Sequence, residues 1–136
     1  MARQLRVEYP GAIYHVTVRS NGKDCLFTTD GDRKYLLARI GEAAERCQAR
    51  VYLFCLMPNH FHLLIQIPET TNVSKLLQSI QWNTTRKYKQ AHHLTGPLHL
   101  WQRGFWDHVI RNAEDYERHF NYIHYGLNNP VKYNDP

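Results

Sequence analysis

Apolar and polar positions divide the chain into a short series of elements. Residues 12–19, AIYHVTVR, largely alternate apolar and polar, the period-two pattern of a half-buried strand. A turn, SNGKD, follows at 20–24. Tyr35, Leu36, Ile40, Ala43, Ala44 and Cys47 recur at helical spacing, which predicts an amphipathic helix over 31–48. Residues 50–56, RVYLFCL, and 60–67, HFHLLIQI, read as two strands broken by Met57-Pro58-Asn59, the layout of an antiparallel hairpin. Asn72 is placed to cap a helix over 73–91 that would bury Val73, Leu76, Leu77 and Ile80. Residues 92–104 are irregular, a short strand is expected at 105–111, and a last helix starts near Ala113 and carries Tyr116, Phe120 and Ile123.

The order β-α-β-β-α-β is the split βαβ arrangement of ferredoxin-like folds. The expected class is therefore α+β: an antiparallel sheet with helices on one face, plus a C-terminal helix carrying tyrosines. A chain of 136 residues has room for one core, so 1–136 is read as a single domain. Such folds host many functions, and the chemistry has to come from particular residues.

Composition narrows the partners. Lys and Arg number 17 against 12 Asp and Glu, a net charge of +5, which favours an anionic partner, nucleic acid first. Hydrophobic residues at 43% and charged residues at 21% argue against disorder. Cys25, Cys47 and Cys55 are odd in number and form no C-x-x-C pair, against a disulfide framework or a cysteine zinc site. No apolar run has the length of a signal peptide or a membrane span, so a soluble, intracellular protein with no membrane partner is expected.

His60-Phe61-His62 is the most informative triplet. On a strand, residues i and i+2 share a face, with Cα atoms roughly 6.5–7 Å apart. Two imidazoles at that spacing can converge on one divalent ion, with Phe61 turned into the core; the other reading is a pair of surface histidines. His15, His92, His93, His99, His108, His119 and His124 are read mostly as surface residues. Near the C-terminus, Tyr125 and Asn129 are four apart, so on a helix they can address one site, or simply pack. Tyr122 lies one turn earlier. Aromatic and basic residues interleave at Trp82, Arg86, Lys87, Tyr88 and Lys89, and again at Trp101, Arg103, Phe105 and Trp106, a composition suited to single strands or to core packing.

Four segments then carry a resemblance: PGAIYHVTVRSNGKDCLF at 10–27, YLFCLMPNHFHLLIQ at 52–66, LWQRGFWDHVIR at 100–111 and YIHYGLNNPVK at 122–132. Together they make the chain similar to the single-tyrosine transposases of the HUH endonuclease superfamily, especially REP-associated tyrosine transposases and insertion-sequence transposases. The resemblance implies a Mg²⁺ or Mn²⁺ ion held by His60, His62 and Asn129. It implies one tyrosine nucleophile, Tyr125 on its spacing to Asn129. Many relatives read as if 126–128 were absent, and in their register the nucleophile is Tyr122, which stands as the alternative.

The implied activity is cutting and rejoining of hairpin-containing single-stranded DNA through a covalent 5′-phosphotyrosine. No small-molecule cofactor is expected, since there is no Gly-rich phosphate loop. Arg19, Lys23, Arg86, Lys87, Lys89, Arg103 and Arg111 are candidate phosphate contacts. A homodimer is an expected form alongside a monomer, and a cytoplasmic, bacterial nucleoid-associated location follows from the DNA partner. The competing reading is a non-catalytic nucleic-acid-binding protein of the same fold.

Overall fold

The computed structural model describes residues 11–21, 26, 27 and 29–126, leaving aside the side chains of residues 125 and 126. The elements run β1 (Ile13–Arg19), α1 (Asp30–Cys47), β2 (Arg50–Met57), β3 (His60–Gln66), α2 (Val73–Ala91), β4 (Trp106–Val109) and α3 (Ala113–Asn121). A single π-helical turn, Tyr122–Gly126, continues α3. The expected elements are all present, with ends moved by one to a few residues.

Local chemistry sets the helix starts. Thr29 Oγ1 accepts from the Asp32 backbone N–H at 3.1 Å, and the Asp32 carboxylate accepts in return from the Thr29 N–H, a reciprocal cap for α1. Asn72 accepts from the Lys75 N–H at the head of α2, and Asn112 from the Asp115 N–H at the head of α3. Gln48 ends α1 in the left-handed region at φ 56°.

The four strands pair antiparallel in the order β2-β3-β1-β4, the order expected of a ferredoxin-like sheet. Pro58 and Asn59 alone connect β2 to β3, whose pairing begins at Met57 and His60. Their carbonyls accept from outside the hairpin: Pro58 from the Leu26 and Phe27 N–H groups, Asn59 from the Ser20 N–H. The turn that presents His60 is thus tied to the segment after β1.

Strand parity divides the sheet. One face carries Tyr14, Val16 and Val18 of β1 with Phe61, Leu63 and Ile65 of β3. Against it pack Leu36, Ile40 and Ala43 of α1, Leu76, Leu77 and Ile80 of α2, and Trp101. The opposite face carries His15 and Thr17 of β1 with His60, His62 and Leu64 of β3. There Leu64, Ile110 and Ile123 form a second small core, joined by Tyr116, Phe120 and Tyr122. Two helices therefore cover one face, and α3 lies on the other. No helix among the described residues is long and apolar enough to cross a membrane.

Phe61 is fully buried, with its ring 5.8 Å from that of Trp101. Phe61→Ala is expected to lower the unfolding free energy by about 3–5 kcal/mol, read from urea denaturation followed by circular dichroism. A loss under about 1 kcal/mol, the size of a surface change, would refute the assignment of this face as the main core.

Candidate active site

His60 and His62 project side by side from β3 onto the α3 face, their ring centroids 5.2 Å apart. Both are buried, His62 completely. His60 Nδ1 lies 2.7 Å from the side-chain carbonyl oxygen of Asn59, which can only accept. Nδ1 therefore carries the proton and Nε2 the lone pair, the form in which an imidazole binds metal. His62 Nδ1 lies 3.0 Å from both Thr17 Oγ1 and His15 Nε2. With Nδ1 so engaged on each ring, Nε2 is the nitrogen through which the two imidazoles could hold a divalent cation.

Polar contacts continue away from this pair. His15 Nδ1 meets His119 Nδ1 at 2.7 Å. His119 Nε2 lies 3.5 Å from Asp115 Oδ1, and His108 Nε2 donates to Asp115 Oδ2 at 2.8 Å. The Arg111 backbone N–H donates to the same Oδ2 at 3.0 Å. The His108 and His119 rings stack at 4.3 Å. His108, Asp115 and His119 form a cluster that could hold a metal ion among the described residues.

The electrostatics of the cluster are mixed. Burial alone would raise the Asp115 carboxyl, but the His108 hydrogen bond, the Arg111 N–H and the two neighbouring histidines outweigh it and hold the group below its ordinary value. Burial, together with the charges of His108 and Arg118, lowers His119 despite the attraction of Asp115. At neutral pH the arrangement is a carboxylate facing a neutral imidazole.

Tyr122 closes the site from the helix side. Its ring lies 6.0 Å from that of His62 and 5.9 Å from that of His15. Trp106 is half-exposed at the rim, stacked parallel on His108 and edge-on to His15. Arg19 ends β1 directly across from His60, and its carbonyl accepts from the Gln102 N–H, which brings the segment before Arg103 to this edge. Arg111 follows β4 and is exposed.

Other predicted residues lie elsewhere. Arg86, Lys87 and Lys89 sit on α2, across the sheet from the histidines. Arg86 lies over the Trp82 ring and Lys87 over the Tyr35 ring. Lys23, Cys25, Asn129 and the Tyr125 side chain fall outside the described residues. Of the interleaved aromatics, Trp101 is core, its Nε1 donating to Thr84 Oγ1, whereas Trp82 and Trp106 are exposed.

Two expectations need correction. The surface reading holds for His92, His93, His99 and His124, but not for His15, which is 1% exposed, nor for half-buried His108 and His119. Their neighbours across the sheet and on α3 satisfy nitrogens that would otherwise need water. The expected four-residue spacing of an α-helix also does not run unbroken to Gly126, because Tyr122–Gly126 closes as a π turn. Asp115 was missed altogether. A usable signal was present: Asp115, His119 and Tyr122 are spaced i, i+4, i+7, one polar stripe beside the apolar stripe Tyr116, Phe120, Ile123.

Comparison with known proteins bears on the family and the fold. A Haemophilus influenzae protein assigned by name to the REP-associated tyrosine transposases is 29% identical over 134 residues, covering 90% of this chain and 72% of that protein. The REP-associated tyrosine transposase of Escherichia coli K12 is 36% identical over 78 residues, covering 57% of this chain and 42% of that protein. A solved REP-associated tyrosine transposase bound to a REP hairpin superposes with a TM-score of 0.74 at 27% identity, covering 97% of this chain and 74% of that one. The family model described as "Transposase IS200 like" matches residues 8–126, and this chain belongs to the IS200-like transposase family.

Proposed function

We propose that this transposase-family protein cuts and rejoins single-stranded DNA by metal-assisted attack of a tyrosine on a phosphodiester. One observation carries the reading: the Tyr122 ring lies 6.0 Å from that of His62, which is buried beside His60 on a single sheet face. His60 and His62 would hold the cation, with Asn129 as the proposed third ligand. Two imidazole donors favour Mn²⁺ over Mg²⁺, which prefers oxygen. When bound, such a cation favours the phenolate and offsets charge on the scissile phosphate.

The tyrosine oxygen attacks phosphorus as the bond to the 3′-oxygen breaks. The products are a 5′-phosphotyrosine and a 3′-hydroxyl, which takes up the proton. A second 3′-hydroxyl can reverse the step, so strands are rejoined with no energy-yielding cofactor. A free phenol has a pKa near 10, so the nucleophile must lose its proton in a site that stabilises the anion. Spacing to Asn129 favours Tyr125, but the ring distances to His62 and His15 support Tyr122 as the attacking residue. Trp106 offers a flat face at the rim on which a base could stack; Arg19 and the segment leading to Arg103 lie at the His60 end of β1 and Arg111 at the opposite end, beyond β4, where each could meet a phosphate of an extended strand. The hairpin bound by the solved relative makes a single strand bearing a hairpin the proposed substrate.

The test is covalent capture. Purified protein, end-labelled hairpin DNA and Mn²⁺ should give a labelled protein band that survives denaturation and disappears with EDTA. Tyr122→Phe should abolish the band and leave DNA affinity nearly unchanged, while Tyr125→Phe keeps it. The reverse result assigns Tyr125. Tight binding with no adduct in any variant supports the binding-only alternative.

Loss of a metal ligand should cost more than loss of a partner behind it, which typically costs 10–100-fold. His60→Ala and His62→Ala are each expected to lower the cleavage rate by more than about 100-fold. Wild-type cleavage by either variant overturns the ligand assignment.

A further inference from the structure

We infer that Asp115, His119 and His15 are positioning residues that fix the proton on His62, through a chain of polar contacts running from α3 to the metal-ligand pair: an ionic contact from Asp115 to His119, then hydrogen bonds from His119 through His15 to His62. The inference rests on the reading of His62 as a ligand and adds residues that reading does not include.

The direction of the chain follows from the donors and acceptors. Asp115 is a carboxylate, engaged at Oδ2 by His108 and by the Arg111 N–H. Its Oδ1 lies 3.5 Å from His119 Nε2. A lone pair facing a carboxylate oxygen is repelled, so His119 places its N–H there. A neutral His119 then has its lone pair on Nδ1. His15 Nδ1, 2.7 Å away, must donate to it. His15 then has its lone pair on Nε2, where it accepts from His62 Nδ1 at 3.0 Å. His62 is left with its lone pair on Nε2, the nitrogen on which a ligand histidine binds metal.

The opposite order fails at the α3 end, where it would point the His119 lone pair at the Asp115 carboxylate. At the other end the Thr17 hydroxyl, 3.0 Å from His62 Nδ1, can donate or accept and is compatible with either order. In the favoured order, Thr17 Oγ1 shares the His62 Nδ1–H as a second acceptor. His60 reaches the same form by a shorter route, from Asn59 in its own turn. The two ligands are therefore prepared independently, one locally and one across three elements.

The same chain argues against a cation in the His108, Asp115, His119 cluster while His62 binds one. A cation on His119 Nε2 would place the His119 proton on Nδ1. His15 would then turn its N–H toward His62, and the His62 proton would move to Nε2, where it blocks metal.

The test reads the proton itself. Metal-free protein labelled with ¹⁵N-histidine is held near pH 8.5, where ordinary imidazoles are neutral, and its long-range ¹H–¹⁵N spectrum assigns the His62 tautomer. Wild type should show His62 protonated on Nδ1. Asp115→Asn and His119→Phe should each give a mixture of tautomers at His62 while His60 is unchanged. Both should weaken Mn²⁺ binding by about tenfold or more, and circular dichroism identifies a variant that has merely unfolded. A wild-type His62 protonated on Nε2 overturns the proposal. So does an unchanged His62 tautomer in both folded variants, which would leave Thr17 as the sole determinant. Mn²⁺ broadening centred on His108 and His119 would make the cluster the metal site and also overturn it. Broadening that spares His62, with its tautomer as expected, would overturn the ligand reading and the positioning role with it, but not the proton order.

Discussion

The antiparallel pairing of β1 with β3 is the constraint on which the rest depends. These are the two central strands, and their register sets Thr17 opposite His62 and His15 opposite Leu64. A slip of one residue would turn every side chain of a strand to the other face. Phe61, Leu63 and Ile65 would then meet α3, and the histidines would face the apolar helices α1 and α2. The apolar core and the polar site are two sides of the same register, so the burial that stabilises the sheet also orients the site.

That arrangement puts an unusual amount of polar material under cover. His15, Thr17, His60, His62 and Asp115 are all buried. An unsatisfied buried donor or acceptor costs about 1–3 kcal/mol, and several side by side would unmake the face. They are tolerated because each supplies its neighbour's partner. The interactions are coupled for the same reason: changing one member alters what the next must donate or accept, so single substitutions should not add independently. The second core of Leu64, Ile110 and Ile123 holds α3 down beside the polar residues and sets the distance between Asp115 and the sheet.

Much of this was legible from the chain. Alternation in AIYHVTVR and the breaker Pro58-Asn59 announced β1 and the hairpin, and Asn72 announced α2. The pair His60 and His62 was legible because two residues apart on a strand is a local fact. His15, His119 and Asp115 were not. His15 and His119 are 104 positions apart, and their contact exists only once β1, β3 and the docked α3 are all in place. The basic run Arg86, Lys87, Lys89 shows the opposite case: its charge was plain, but its place across the sheet from the histidines was not, because which side α2 covers is decided by the apolar residues Leu76, Leu77 and Ile80. Local patterns reveal elements and neighbouring ligands; long-range pairing decides which elements share a site.

The tyrosine question turns on the same distinction. Spacing alone pairs Tyr125 with Asn129, because four residues make about one α-helical turn. The stripe along α3 argues differently. Asp115, His119 and Tyr122 advance by four and then three residues, so a regular α-helix keeps them within about 60° of one another. The first two touch the histidine chain, and a helix docked through Tyr116, Phe120 and Ile123 cannot present them to the sheet without presenting Tyr122 as well. The π turn begins at Tyr122 itself, after the stripe is complete. A turn that closes i to i+5 holds one more residue than an α turn, so it alters the angular position of residues beyond Tyr122 while leaving α3 docked as it is. The helix that aligns the carboxylate and histidine behind His62 therefore also brings Tyr122 against the His15 and His62 rings.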